Sequence, residues 1–343
     1  MKSINLIFTL ILALLFNSCA TKVATSKDNK KPDWLDNPYK KYREALYLAA
    51  IGEGDTRKAA ENNAVGNLSL IFESKIKVEN TTEQRYEELF TEEGSTFSKT
   101  LKNKQNVKTG SNQTLFNVQY GESYTDKSGR NYVVAYLDRL ETGELYETKI
   151  TENSEKIKFY LKNSYLSSDV KKSYAYLNAA TVINSVNQSL VSQLQIISPD
   201  FWSNSKLGYD PNELEEKSAN ATKSISFGVN IENDEDGKIK NILQEFLSNK
   251  GFIVHENPLL NLNGSVNFED LDLPRAEKFV RWHLDLNLND TSGNTLVSLS
   301  EDGREGHLSK GEAKARAVRT IRSKVEKKFS KSLDNYFDSL VKK

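Results

Sequence analysis

The chain has 343 residues, enough for two or three domains, and its acidic and basic residues balance at 47 each. That balance gives no global field for nucleic acid. The single cysteine, Cys19, excludes an internal disulfide and any cysteine-built metal site.

The N-terminus reads as an address. Lys2 precedes an apolar run from Ile4 to Phe16 that only Asn5 and Thr9 interrupt. That is a signal-peptide pattern, too short for the ~20 residues a bilayer span needs. Cys19 follows at once in Leu15-Phe-Asn-Ser-Cys19, which resembles a bacterial lipobox although Phe16 holds the place usual for leucine. Residues 1–18 are therefore expected to be a signal peptide and Cys19 the lipidated first mature residue, carrying acyl chains such as palmitate. More than one acyl chain gives stable anchoring. Residues 19–31, poor in bulky apolar side chains, read as a flexible tether. Ala20, where a retention signal would place Asp, favours the outer membrane.

The most organised stretch comes next. Ala45–Ile51 is a continuous apolar run that predicts a strand buried on both faces. Gly52 and Gly54 are expected to end it and to turn the chain into a helix capped by Asp55 or Thr56. Ala60, Ala64, Leu68 and Ile71 recur at helical spacing, and their small size suits close packing on a sheet. Gly52-Glu-Gly54 is not a phosphate loop: no third glycine or Gly-Lys-Ser/Thr follows, and Glu53 and Asp55 would repel a phosphate.

Pro32-Asp33-Trp34, Ile51-Gly-Glu-Gly54, Arg57-Lys-Ala-Ala-Glu-Asn-Asn-Ala64 and Tyr132-Val-Val-Ala-Tyr-Leu-Asp-Arg139 together resemble the bacterial LPP-twenty lipoprotein family, over about residues 32–145. The resemblance implies an envelope protein without known catalytic residues.

Ile76 and Val78 alternate with charged residues and predict a half-exposed strand over 75–81. Residues 82–113 are polar with isolated Tyr86, Leu89, Phe90, Phe97 and Leu101. They read either as a partner-docking segment or as ordinary cover for the sheet. Thr114–Tyr120 alternates as a strand, Asp126-Lys-Ser-Gly129 signals a turn, and Asn131–Leu137 is a strand apolar on both faces. From Ser154 to Ile197 the period is helical, broken at Leu166-Ser-Ser-Asp169, which predicts a helical hairpin. Its tyrosines (160, 165, 174, 176) are read as packing residues. Ser198–Lys223, with Pro199, Gly208 and Pro211, reads as a connection containing a short helix from Asp210.

The last part predicts a strand at Ile225–Ile231, a helix with its apolar stripe at Ile239, Ile242, Leu243, Phe246 and Leu247, and a strand at Phe252–His255. A hairpin follows through Ser292-Gly293-Asn294. A long helix then starts at the capping box Ser309-x-x-Glu312, with Ala313, Ala317, Ile321, Val325, Phe329, Leu333, Tyr336 and Leu340 on its apolar face. This order is similar to small α+β domains of envelope assembly lipoproteins.

The expected fold is α+β. It comprises a strand-helix-antiparallel sheet domain at 32–150, a helical hairpin at 151–197, a linker at 198–223 and a C-terminal α+β domain at 224–343. His255, His283 and His307 lack ligand spacing, and paired carboxylates such as Glu87-Glu88 do not face each other. No catalytic, cofactor or metal residues are assigned; Cys19 is the one site residue. The expected function is a non-catalytic, periplasm-facing envelope lipoprotein that scaffolds or assembles through contacts with another envelope protein. A module regulating an envelope enzyme such as a cell-wall synthase is the alternative.

Overall fold

The computed structural model describes residues 31–72, 80–90, 107–108 and 114–342. Cys19, the signal peptide, residues 19–30 of the tether, the core of the predicted strand 75–81, Phe97 and Leu101 lie outside them. The fold is mixed α+β, and the described chain divides into two compact units. The first holds residues up to Ile71 together with Val118–Leu137; the second holds Phe72–Asn117 and everything from Asp138 onward.

In the first unit, β1 (Tyr47–Gly54) lies at one edge of a three-stranded sheet. Helix α1 (Arg57–Leu70) packs on it through buried Ala60, Ala64, Val65 and Leu68. Thr56 caps the helix, its hydroxyl accepting from the Ala59 amide at 3.1 Å. The two glycines do not end the strand, as the sequence suggested, but belong to it. A Cβ on Gly52 would sit 2.0 Å from the Ala64 amide nitrogen and 2.2 Å from the Ala60 carbonyl oxygen. The missing side chain is what lets the helix backbone rest on the strand. Asn63 and Asn67 then donate to the Glu53 and Ile51 carbonyls at 2.7 and 2.8 Å.

Later in the chain, β4 (Gln119–Thr125) and β5 (Asn131–Asp138) pair antiparallel, giving the order β1-β5-β4. Asp126 closes their turn by accepting from the Ser128 and Arg130 amides, both at 2.9 Å, and Gly129 has φ +87°. Two single turns of 3-10 helix, Asp33–Leu35 and Pro38–Lys40, supply the residues that cover the other face. Buried Trp34 packs there with Ala49, Val134, Tyr39, Tyr42 and Tyr132. Between these halves of the unit come α2 (Asn80–Phe90) and the two-residue strands β2 (Val107–Lys108) and β3 (Thr114–Leu115). The expected continuous strand 114–120 is interrupted at 116–118, where Asn117 has φ 62°.

The second unit begins its helical layer earlier than the periodicity indicated. Helix α3 runs Arg139–Leu166, capped by Asp138, and α4 runs Val170–Ile197, capped by Asp169. The first half of α3 buries Thr142, Gly143, Lys149 and Asn153 beside Leu145, Tyr146 and Ile150, so its apolar stripe is diluted. Arg139 donates to the Ile196 and Ile197 carbonyls, each at 2.8 Å, a cation placed where the α4 macrodipole favours it. Residues 198–223 are mostly helical: α5 (Pro199–Asn204) and α6 (Pro211–Lys223) pack on α4, and Leu214 is buried in the shared core.

The remaining sheet has five strands in the order β10-β9-β8-β6-β7. They are β6 (Ser226–Glu232), β7 (Ile253–Val254), β8 (Leu260–Leu271), β9 (Lys278–Asp290) and β10 (Thr295–His307). β6 is parallel to β7 and β8; the rest is antiparallel. Helix α7 (Lys238–Asn249) and the C-terminal helix cover one face. That last helix is α8 (Lys310–Lys324), a π-helical turn Val325–Phe329, and α9 (Ser330–Ser339). Its buried residues fall every fourth position from Ala313 to Val341. In an unbroken α-helix each such step drifts about 40° around the axis, and the wider π turn takes up part of the drift. The burial phase thus selects Phe337 and Val341 where Tyr336 and Leu340 were expected. Tyr174 joins hairpin to sheet, its ring centroid 4.6 Å from Phe337 and 5.5 Å from Phe252.

Candidate functional site: an open polar sheet face

Alternation along the C-terminal strands sorts residues to two faces. Val280, Trp282, Leu284, Leu286 and Leu288 of β9 point into the core, with Leu260, Leu262 and Val266 of β8 beside them. The opposite face carries short polar side chains. Register aligns them in ranks across the strands: Asn230, Asn263, Asn287 and Ser298 form one, and Glu232, Ser265, Asp285 and Ser300 the next. Strand spacing places neighbours in a rank about 5 Å apart. Asn230, Asn263, Asn287, Ser298 and Ser300 are exposed.

Two hollows lie along this face and meet at Asn263. One, of about 600 Å³, is lined by Gly228, Asn230, Asn261, Val254, His255 and Pro258 among others. The other, of about 480 Å³, runs past Ser265, Asp285, Asn287, Ser298 and Ser300. The Ser300 hydroxyl holds the Asp285 carboxyl below its ordinary range, and the His283 ring, 2.8 Å away, adds to this. Ser298 donates to Asn287 at 2.7 Å. The amides of Asn230, Asn261 and Asn263 have no protein partner among the described residues. Such a surface offers both donors and acceptors, and Lys240, Glu256, Glu232 and Asp285 are the charged groups that line it.

A second polar cluster is buried between α2, α3, α4 and the turn before α6. Tyr86 donates to Asn153 at 2.9 Å, Asn153 to Asn187 at 3.2 Å, and Asn187 to Ser154 and Tyr209 at 3.3 and 3.2 Å. Tyr209 in turn donates to Asn184 at 2.8 Å. Burial raises the Tyr86 phenol far above its usual range. Lys149 stands with its ammonium 5.3 Å from the Tyr86 ring, and burial lowers its pKa to about 8. A connected and satisfied network of this kind fixes helix register.

Arg85 holds α2 to the C-terminal helix by a two-pronged pair with Asp338, at 3.1 and 2.6 Å. Of the isolated apolar residues in 82–113, for which docking and structural cover both stood open, Tyr86 and Leu89 are structural, because α2 turns them into the second unit's apolar core. The sequence signal for this was their three-residue spacing.

The three histidines lie apart on the sheet and its loops. Among the described residues no group of three or more acidic, histidine or cysteine side chains could hold a metal. Among them, too, no helix is long and apolar enough to cross a membrane. The Tyr160, Tyr174 and Tyr176 rings are buried, and Tyr165 is exposed.

Comparison with known proteins gives the following. The chain is similar to a secreted protein of Helicobacter pylori at 13% identity, over 80% of this chain and 96% of that one, with a TM-score of 0.40. A minor lipoprotein of Acinetobacter baumannii is 11% identical over 33% of this chain and 94% of that one, with a TM-score of 0.26. A lipoprotein of Neisseria meningitidis is 14% identical over 29% of this chain and 96% of that one, with a TM-score of 0.22. At these TM-scores the likenesses carry no argument. No curated protein sequence matches significantly. Residues 32–138 match the model of the LPP20 lipoprotein family, so the chain carries an LPP20 lipoprotein segment, and the match supports a membrane-anchored bacterial envelope lipoprotein.

Proposed function

We propose that this protein is a non-catalytic envelope lipoprotein, anchored through Cys19 in the outer membrane and facing the periplasm, which holds a second envelope component near that membrane. The family match over residues 32–138 carries this reading. The position of Cys19 directly after an apolar run supports it. The motif residues give it a structural logic. Trp34, Gly52, Ala60 and Ala64 all serve the packing of the first unit. Among partners, another envelope protein is the expected class, with regulation of an envelope enzyme as the variant of the same idea.

The test is crosslinking in intact cells, comparing wild type with Cys19→Ala. Wild type fractionates with the outer membrane and captures a defined partner. The variant leaves the membrane fraction and loses that partner. Membrane association that survives Cys19→Ala removes the anchor from the account, and hydrolase or transferase activity in the purified chain removes the non-catalytic role.

A further inference from the structure

We infer that the free edge of strand β10 is an interface on which two copies of this chain pair antiparallel, about a two-fold axis at Gly303. The inference uses neither the anchor nor the partner of the preceding reading, so either can fail alone.

The edge is long and open. β10 has 13 residues and forms one edge of its sheet, while β7 at the other edge has 2. Along an antiparallel strand the backbone groups point alternately toward one neighbour and away from it. Gly306 turns its carbonyl outward, where Arg316 of α8 donates to it at 3.1 Å. The register with β9 runs without a shift from Val297 to His307. By the same alternation Arg304, Asp302, Ser300 and Ser298 therefore point their N–H and C=O groups away from β9. Among the described residues these groups have no partner. β1, also an edge strand, is treated differently, since Asn63 and Asn67 take up its Glu53 and Ile51 carbonyls. An open edge of this length is a template for another strand.

Charge selects a second copy as that strand. Asp302 and Arg304 are exposed on one face, and neither forms an ion pair among the described residues. Arg304 stands beside Arg281 of β9, which Glu269 already pairs, and lies 5.2 Å from the Phe279 ring. Asp302 stands beside His283, which Asp285 holds, and Lys324 is near enough to feel its charge without pairing to it. A dyad at Gly303 sets Asp302 of each copy directly opposite Arg304 of the other, and both pairs also exchange backbone hydrogen bonds. Moving the dyad by one residue sets Asp302 or Arg304 against its own copy. On the helix-covered face Glu301 then meets Glu305. Lys324 and Lys328 already hold Glu301, and Glu305 accepts from the Thr320 hydroxyl at 2.8 Å. At the axis Gly303 presents no side chain to its own copy, and a Cβ there would lie 2.5 Å from the Trp282 ring.

The experiment is sedimentation velocity of the full mature chain, with Cys19→Ser to keep it free of lipid, over a range of concentrations. The expected result is a reversible monomer–dimer equilibrium. Asp302→Arg and Arg304→Asp each weaken it about tenfold or more, since each turns two attractive cross-strand pairs into repulsive ones. Mixed with each other, the two variants form a heterodimer, because every such pair is again of opposite charge. Their melting temperatures match wild type below the dimer range, as both side chains are exposed. Asp302→Lys and Arg304→Glu replace either variant that does not fold, with the same losses and the same rescue on mixing. A chain that stays monomeric at its highest soluble concentration, a dimer unmoved by either charge reversal, or reversed variants that fail to pair with each other overturns the inference.

Discussion

Gly52→Ala is the sharpest test of how the first unit is built. The added methyl would lie 2.0 Å from the Ala64 nitrogen and 2.2 Å from the Ala60 oxygen, against 3.4 Å or more for an ordinary contact. Both obstacles are helix backbone, so no rotamer change relieves them. Helix α1 has to retreat by about 1.4 Å, and a gap of 0.5–1 Å already forfeits roughly a quarter to a half of a dispersion contact. Ala60, Ala64 and Leu68 are fully buried and all loosen together. Overpacking of this kind costs about 3 kcal/mol, the upper part of the usual range. For a unit of this size that is a fall of roughly 12–24 °C in melting temperature. Gly66→Ala is the internal control. It lies in the same helix, nothing stands within 4 Å of its added Cβ, and alanine is the better helix former, so it should stabilise by roughly 0.5–1 kcal/mol. Calorimetry on both variants decides. Gly52→Ala melting within a few degrees of wild type, or Gly66→Ala melting well below it, would refute the close-approach argument.

Three further predictions concern the second unit. Lys149 is buried with its pKa lowered to about 8, so the folded state holds a disfavoured charge below that pH, and the penalty fades as the unfolded lysine also loses its proton near 10.5. Lys149→Met should stabilise by about 2–3 kcal/mol at pH 7 in urea unfolding and gain progressively less between pH 8 and 10.5; a gain independent of pH would contradict this. Asn187→Ala strands Asn153, Ser154 and Tyr209 in the interior and should cost about 3 kcal/mol, whereas Tyr209→Phe, which keeps the ring, should cost nearer 1; equal losses in chemical denaturation would show that the network is not connected as described. Asp338→Ala leaves the mostly buried Arg85 with only Asp334, 3.8 Å away, and should cost about 2 kcal/mol, with hydrogen exchange in α2 rising before exchange in α4. Unchanged protection in α2 would deny that Arg85 holds it.

The elements legible in the sequence were those whose burial is apolar and periodic. Helices α1, α4 and α7 and the stripe from Ala313 to Leu333 stand where spacing put them, because local alternation and core direction agree there. The start of α3 was hidden for the opposite reason: between Arg139 and Asn153 it buries Thr142, Gly143, Lys149 and Asn153, whose chemistry argues for solvent. Strand β8 was missed although Leu260, Leu262 and Val266 alternate, since Gly264 occupies an inward position and breaks the pattern. At Gly52 and Gly54 the residue type was informative but its meaning ambiguous, because a glycine that permits a turn and one that admits a neighbouring backbone look alike in sequence. The polar face could not be read at all. Asn230, Asn263, Asn287 and Ser298 become one rank only through the register of four strands, a long-range property that no local window contains. Cys19, outside the described residues, is assigned from a linear signal alone.

The anchor is the claim on which the proposed function most depends, and intact mass spectrometry of the chain extracted in detergent from its native membranes tests it directly. The account predicts a mature protein that begins at Cys19 and carries the added mass of a diacylglycerol and an N-linked acyl chain. A mature chain that begins elsewhere, or an unmodified cysteine at its N-terminus, would contradict it.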